Sequence, residues 1–370
     1  MRVVIYSEFF PPSIGGGEQY AFDLASFLNR LNIEVFIITS TKSQKKDNFP
    51  FQIQRLTHNI SFQRMNLNFV ELMKNIIKIK PEIVHINSPV LIDNFIIILL
   101  KLLRIKVILS FHAPYHKPFG IFINKLSSLF IYNLVDVIFV QSNADANRLS
   151  NWGISLDKIK KIYFNGIENK NLNFNSIKNE KEKGSLLFVG QLDESHTYKG
   201  LDYLLQAVYT IKKTKPVLNF SLKIVGSGNL LEKYEMYAKS MGLKNITFLG
   251  YLEKTELEKT FQKSCLTILP SSNGAEGFGR VVLESIVNGT PVLVSKYAGI
   301  SELIETYDAG IIFDPKNLTE FCNILISILE GSFEMDEKIA NALTMIEVEK
   351  LGLDDTIEKT IHWYKKVMED

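Results

Sequence analysis

Two carboxylates eight residues apart frame the most chemically suggestive stretch of this chain. In SSNGAEGFGRVVLES, beginning at Ser271, Glu276 precedes Gly277, Phe278 and Gly279, and Glu284 falls in the first turns of a helix expected from about Gly279 to Asn288. At the rise of an α-helix the two side chains are separated by up to ~12 Å. Between them lie the unpaired amides of a helix start, around Gly279, Arg280 and Val281, and such amides suit a diphosphate. The separation is comparable to the span between the sugar and the ribose of a nucleotide sugar. The plainer reading is a glycine-rich turn with a surface carboxylate on each side.

Other residues point to the same chemistry. Lys199, in VGQLDESHTYKG, follows an expected strand at the start of a helix, where an ammonium neutralises a phosphate, although a lone lysine there is ordinarily solvated. Gly226-Ser227-Gly228 ends a strand and opens a helix, as either a nucleotide contact or a tight turn. In the first βα loop, SEFFPPSIGGGEQY, Gly15, Gly16 and Gly17 run into a helix and let the backbone approach a bulky anion. That spacing is not G-x-G-x-x-G, and the next strand ends in Thr39 and Ser40 rather than an acidic residue, which disfavours a nicotinamide site. His112 follows the strand Val107 to Phe111 and is placed to hydrogen-bond a sugar hydroxyl or a developing charge; the alternative is a satisfied structural group. His116 is separated from it by Pro114, which excludes a helical metal pair, and His85 reads as structural. No metal is expected.

These residues need elements to hold them. The chain has 370 residues, a net charge of +2 and 46% hydrophobic residues, which excludes both a disordered chain and a polycationic nucleic-acid binder. Its two cysteines, Cys265 and Cys322, lie in apolar stretches without metal-ligand spacing, so a reducing compartment is expected. The N-terminus reads directly as a strand rather than an export leader. The most apolar stretch, Val90 to Ser110, is broken by Asp93, Lys101, Arg104 and Lys106, and falls far short of the ~20 residues of a bilayer span.

Continuous apolar strands are expected at 3–7, 35–39, 82–86, 106–110, 137–141 and near 159–163, with helices at 18–31, 67–80, 91–103 and 120–134. The pattern restarts after a polar segment with strands at 186–190, 220–225, 246–249, 266–269, 291–295 and 311–313. Helices are expected at 200–213, 229–241, 253–263 and 279–288, and further helices fill the remainder. Unalternating strands imply parallel sheets covered on both faces. The expected organisation is therefore two doubly wound, Rossmann-like α/β domains facing each other across a cleft: residues 1–170, a linker 171–185, residues 186–350, and a terminal helix 351–370 packing back on the first domain. Ligand chemistry in such sheets gathers at the carboxyl ends of the strands.

In this order the segments PPSIGGGE, SFHAP, VQSNA, NGI, VGQLDESHTYKG, VGSG and EGFGRVVLES resemble the retaining GT-B glycosyltransferases of family 4, the glycosyl transferases group 1. The likeness spans nearly the whole chain, and EGFGRVVLES carries the family's E-x7-E motif. The resemblance implies transfer of a hexosyl group, with retention and without a metal or other cofactor, from a UDP- or GDP-sugar to a hydroxyl of a glycan or lipid-linked acceptor in cell-surface polysaccharide or glycolipid synthesis. It places Glu276 on the donor sugar, Glu284 on the ribose, and the diphosphate on amides around Gly279 to Val281 and in the Gly16-Gly17 loop. Lys199 resembles the phosphate lysine and His112 the family's cleft histidine, while loops near Gly226 and Tyr251 would meet the base. Gln191 stands where the family usually has an arginine, a charge that His196 or another cation would have to replace. Rival readings are a nucleotide-sugar epimerase or phosphorylase of the same form, or a binding module of low activity.

Residues 1–170 carry 20 Lys/Arg against 12 Asp/Glu, whereas residues 171–370 carry 22 against 28. With the apolar helix at 120–134, that asymmetry fits a cytoplasmic protein in peripheral contact with an anionic membrane; a helix buried against the sheet is the alternative.

Overall fold

Apolar runs without polar alternation become parallel strands here because helices cover both faces of each sheet. The computed structural model describes residues 1–369 apart from 14, 44–46, 58–60, 63–64, 67–68, 88–92, 113–124, 127–129, 165 and 168–180. The first half runs β1 (Arg2–Ser7), α1 (Gly16–Arg30), β2 (Glu34–Thr39), β3 (Gln52–Arg55), a short antiparallel pair β4 (Ser61–Phe62) and β5 (Met65–Asn66), α2 (Phe69–Ile79), β6 (Ile83–Asn87), α3 (Asp93–Leu102), β7 (Lys106–Ser110), β8 (Val137–Val140), α4 (Asn143–Asn151) and β9 (Ile159–Lys161). The second runs β10 (Ser185–Val189), α5 (Leu201–Thr214), β11 (Ser221–Val225), α6 (Leu231–Ser240), β12 (Ile246–Gly250), α7 (Lys254–Lys263), β13 (Leu266–Leu269), α8 (Arg280–Val287), β14 (Val292–Ser295), α9 (Ser301–Thr306), β15 (Ile311–Phe313), α10 (Leu318–Leu329), α11 (Met335–Val348) and α12 (Leu353–Glu369).

The strands form a seven-stranded parallel sheet, β3-β2-β1-β6-β7-β8-β9, and a six-stranded one, β12-β11-β10-β13-β14-β15. The fold class is the one read from the sequence: two Rossmann-like α/β domains. In each sheet the strand order reverses once, between β1 and β6 and between β10 and β13, and such a switch point opens a crevice at the carboxyl ends. The chain divides into Met1–Gly166 joined by the segment from Leu353 onward, and Ile167–Gly352.

Besides the unforeseen antiparallel pair β4 and β5, four elements differ from the sequence reading. Edge strand β3 is short and polar on alternate positions, which hid it. Helix α4 is too polar to show an apolar stripe, although Ser142 caps it by accepting from the Asp145 amide at 3.1 Å. A 3₁₀ segment, Glu194–Lys199, stands where helix α5 was expected to begin nearby, so Lys199 precedes that helix. The helix expected at 120–134 lies mostly outside the described residues, and its described end, Tyr132–Leu134, is a 3₁₀ turn. Most of the expected linker 171–185 also lies outside the described residues.

Helix α12 belongs to the first unit because its spacing fits the first sheet. Ile357, Ile361, Tyr364 and Val367 recur along one face and join Val3, Ile5, Leu24 and Phe139 in one buried cluster. Thr356 donates to the Tyr163 carbonyl at 2.9 Å, and Thr360 lies 3.3 Å from the Tyr20 hydroxyl. At the centre, fully buried His85 is hydrogen-bonded through Nδ1 to the Tyr364 hydroxyl at 2.5 Å and through Nε2 to Ser110 Oγ at 2.6 Å. A neutral imidazole has one donor and one acceptor, and both are satisfied.

Burial, with a smaller contribution from nearby His112, lowers the His85 pKa from 6.5 to about 3. The folded protein therefore binds fewer protons at this ring than the unfolded chain as pH falls below 6.5, and stability is lost with acidification down to about pH 3. From this ring alone, stability at pH 5 is expected to fall by about 2 kcal/mol relative to pH 7. Urea unfolding at the two pH values checks this, and His85→Asn should flatten the dependence by one proton.

Candidate functional site

The second unit gathers its charged residues at the carboxyl ends of β10 and β13. Ten residues after β10, Lys199 ends a 3₁₀ segment that Asp193 caps, its Oδ1 accepting from the amides of Ser195 and His196 at 2.8 and 3.1 Å. The Lys199 ammonium meets Glu276 Oε2 at 2.8 Å, with the two side chains only 15% and 9% exposed. Ser271, itself buried, adds a hydroxyl 3.3 Å from the same oxygen. Burial opposes the charge on Lys199, but the attraction of Glu276, with a smaller share from Tyr198, outweighs it and holds the ammonium's pKa above the ordinary value. A lysine and a carboxylate that read separately as surface groups are therefore one nearly dry ion pair. Removing either partner leaves a charge uncompensated, at a cost of about 3–5 kcal/mol.

Beside this pair, helix α8 starts without a side-chain cap. Gly279 occupies the left-handed region at φ 92°, which favours glycine, and no side chain accepts from the first amides. The amides of Arg280 and Val281 thus begin a helix with its positive end unneutralised by any capping group. Glu284, one turn into the helix, accepts from Arg280 Nε at 2.9 Å. The Phe278 side chain is buried in the core and its carbonyl accepts from the Ile300 amide at 2.9 Å. Gly277 contributes its backbone to the same turn.

The neighbouring loops bring backbone together closely. A Cβ on Gly226, at φ 146°, would stand 1.8 Å from the Gly190 carbonyl oxygen, so this turn admits only glycine. His196 Nδ1 bonds Asp193 at 2.8 Å, so it is committed within its own turn. Gln191 is partly buried next to β10, and Tyr251, after β12, is 54% exposed.

In the first unit the corresponding edge builds a neutral cluster. Asn87, ending β6, donates through Nδ2 to Ser7 Oγ at 3.0 Å and to the Gly17 carbonyl at 2.9 Å. Its Oδ1 is left to accept from His112 Nε2 at 2.7 Å, which fixes the tautomer. The other ring nitrogen faces the Gln141 amide at 3.4 Å, and the ring lies 4.8 Å from Phe164. Burial lowers the His112 pKa from 6.5 to about 4, so it is an uncharged hydrogen-bonding group at neutral pH. Gly16 opens α1, and the Glu18 side chain folds back so closely that a Cβ on Gly15 would lie 2.2 Å from its carboxylate. An anion approaching the Gly16-Gly17 turn must displace that carboxylate.

Asn87, Gln141 and Ser271 did not stand out in the sequence. The available signal was a polar residue ending an apolar strand, as in IVHIN and VIFVQ. Among the described residues, no group of three His, Cys, Asp or Glu side chains is placed to hold a metal ion, and no helix is long and apolar enough to cross a membrane.

Two parallel-sheet Rossmann-like domains, one with an ion pair beside an uncapped helix start, define a class of α/β architecture, and comparison with known proteins specifies it. Residues 14–168 match the family model described as Glycosyltransferase Family 4, and residues 169–344 match Glycosyl transferases group 1. The chain belongs to this family. It is 30% identical over 260 residues to an uncharacterised glycosyltransferase of Methanocaldococcus jannaschii, covering 67% of this chain and 64% of that protein. Over 356 residues it is 22% identical to the sulfoquinovosyl transferase of Arabidopsis thaliana, covering 89% of this chain and 66% of the relative. The alignments thus span slightly less than two thirds of either relative's own length. Among solved structures, Anabaena HepE in complex with UDP superposes with a TM-score of 0.74 at 15% identity, covering 99% of this chain and 100% of that one. Sucrose-phosphate synthase of Thermosynechococcus elongatus reaches 0.79 at 16%, covering 100% and 99%. The fold is that of the GT-B glycosyltransferases.

Gly226→Ala is expected to lower unfolding stability by more than about 2 kcal/mol, through both the strained dihedral and the collision with Gly190. Gly242→Ala, where a Cβ meets nothing within 4 Å, carries only the dihedral strain and should cost less. Chemical denaturation of the two variants checks the order.

Proposed function

We propose that this chain transfers a hexosyl group from a nucleotide diphosphate sugar to a hydroxyl of a glycan or lipid-linked acceptor, with retention at the anomeric carbon, in cell-surface polysaccharide or glycolipid synthesis. The observation that carries the reading is the Lys199–Glu276 pair beside the uncapped start of α8. A phosphate arriving there exchanges with Glu276 as the partner of Lys199 and takes the amides of Arg280 and Val281. The freed carboxylate then turns to hydroxyls of the sugar, and Glu284, released from Arg280, to the ribose. Departure of the diphosphate concentrates negative charge where a cation and oriented amides already stand, which is the stabilisation this reaction needs most. These groups supply it without a divalent ion.

His112 serves in this reading as a neutral group toward the transferred sugar, held in one tautomer by Asn87. No side chain is assigned as a nucleophile; the departing phosphate oxygen takes the acceptor's proton. A UDP donor is in keeping with the solved relatives captured with UDP and UDP-glucose. The excess of Lys and Arg in residues 1–170 supports a cytoplasmic protein that touches an anionic membrane to reach a lipid-linked acceptor. Gln191 leaves the diphosphate with one cation fewer than the family pattern provides, so weak donor binding or a binding-only module is the competing outcome.

Because the ion pair is buried, single substitutions confuse folding with chemistry. Lys199→Met combined with Glu276→Gln leaves no uncompensated charge, and should keep the melting temperature within a few degrees while reducing transfer at least about 100-fold. Retained activity in that double variant removes the site assignment, and donor binding without turnover in the unsubstituted chain favours the binding module. Turnover by the purified protein should survive EDTA. A melting-temperature panel of nucleoside diphosphates identifies the base, since saturation at 100 times Kd stabilises by ~2.7 kcal/mol.

A further inference from the structure

The first unit carries a basic cavity at the opposite edge of its sheet from His112. It encloses about 570 Å³ and is lined by Lys101, Asp136, Lys158, Lys160, Trp363 and Lys366 among others. These residues come from the end of α3, the amino ends of β8 and β9, and α12. Both acidic groups in the lining are committed. Asp136 binds Lys101 at 2.8 Å, the Val107 amide at 2.7 Å and Lys106 at 3.9 Å, and Asp157 accepts from Ser155. Lys158 donates to the carbonyls of Asn133 and Val135, closing the 3₁₀ turn above it.

Lys160 and Lys366 are left. Among the described residues neither forms an ion pair within 4 Å, although Lys160 lies near enough to Asp157 to add, after the Ser155 hydrogen bond, to the lowering of its pKa, and both ammoniums rest on one ring, at 4.7 and 4.8 Å from the Trp363 centroid. That geometry holds the two charges within about 9.5 Å of each other, about one screening length. Two like charges gathered on an indole at the mouth of a cavity, with only the solvent-exposed Asp157 as a nearby counter-charge to Lys160, are arranged for an anion from outside. The ammonium is a compact point charge suited to phosphate oxygens, and the cavity is larger than one phosphate, with an aromatic wall for the body that carries it.

We propose that this cavity binds a phosphate-bearing anion, a phosphorylated small molecule or the headgroup of an anionic lipid, between Lys160 and Lys366 over Trp363, separately from the donor site. The experiment uses the full chain with Trp152→Phe, which leaves Trp363 as the only tryptophan of the two. Inorganic pyrophosphate, and in a second arm phosphatidylglycerol vesicles against phosphatidylcholine vesicles, are titrated while indole emission is followed.

A saturable response, weakened about tenfold or more by Lys160→Gln with Lys366→Gln and reduced by salt, is expected. A response to pyrophosphate assigns the site to soluble phosphates, and one to phosphatidylglycerol vesicles alone assigns it to a headgroup. Calorimetry on chains retaining both tryptophans guards against a change in emission caused by the lysine substitutions themselves. No response in either arm overturns the proposal. So does one that survives the double lysine substitution but disappears with Lys199→Met combined with Glu276→Gln, which would place the anion at the donor site.

Discussion

Parallel hydrogen bonding puts the carboxyl ends of all strands in a sheet along one edge, and the chemistry of this protein follows from that constraint. Residues far apart in sequence, such as Lys199 and Glu276 or Asn87 and His112, meet because each leaves its strand at the same side. The switch points between β1 and β6 and between β10 and β13 then decide where along the edge the loops part. Helix starts come to the same edge as a necessity of βα connection, and with them come unpaired amides.

The two units use that edge differently. The second keeps a cation and an anion together in a poorly hydrated place, an arrangement that contributes little net stability but holds both charges ready and in position. The first gathers neutral groups, Asn87, Gln141 and His112 among them, and burial opposes protonation of the histidine. One edge carries a paired cation and anion, and the other hydrogen-bonding groups that stay uncharged at neutral pH. The glycines at the turns, above all Gly226, let backbone lie directly on backbone beneath the charged groups, so the ion pair stands on a base that side-chain motion cannot loosen.

Much of this was readable from residue order. Long apolar strands such as VVIY and VILS announce burial on both faces, and GFG before an apolar helix announces its start. Three things were not. The partnership of Lys199 with Glu276 joins residues 77 positions apart, and spacing alone does not determine which loop folds toward which. The roles of Asn87 and Gln141 are set by the neighbours their amides find. Helix α4 is polar enough that its existence depends on the Ser142 cap and on packing rather than on periodicity. The fold class was legible because it follows from patterns within one segment, whereas the site is made by contacts between segments.

The membership of α12 in the first domain gives that domain two separate stretches of chain, with the whole of Ile167–Gly352 between them. During synthesis the contiguous second domain has everything it needs to close its core before residues 353–369 are made. The domain begun earliest is consequently finished last, with Tyr20 and His85 lacking their hydroxyl partners in the meantime. Its early state is a sheet with one flank open, and the arrival of Tyr364 joins the end of the chain to the middle of a sheet laid down some 280 residues before.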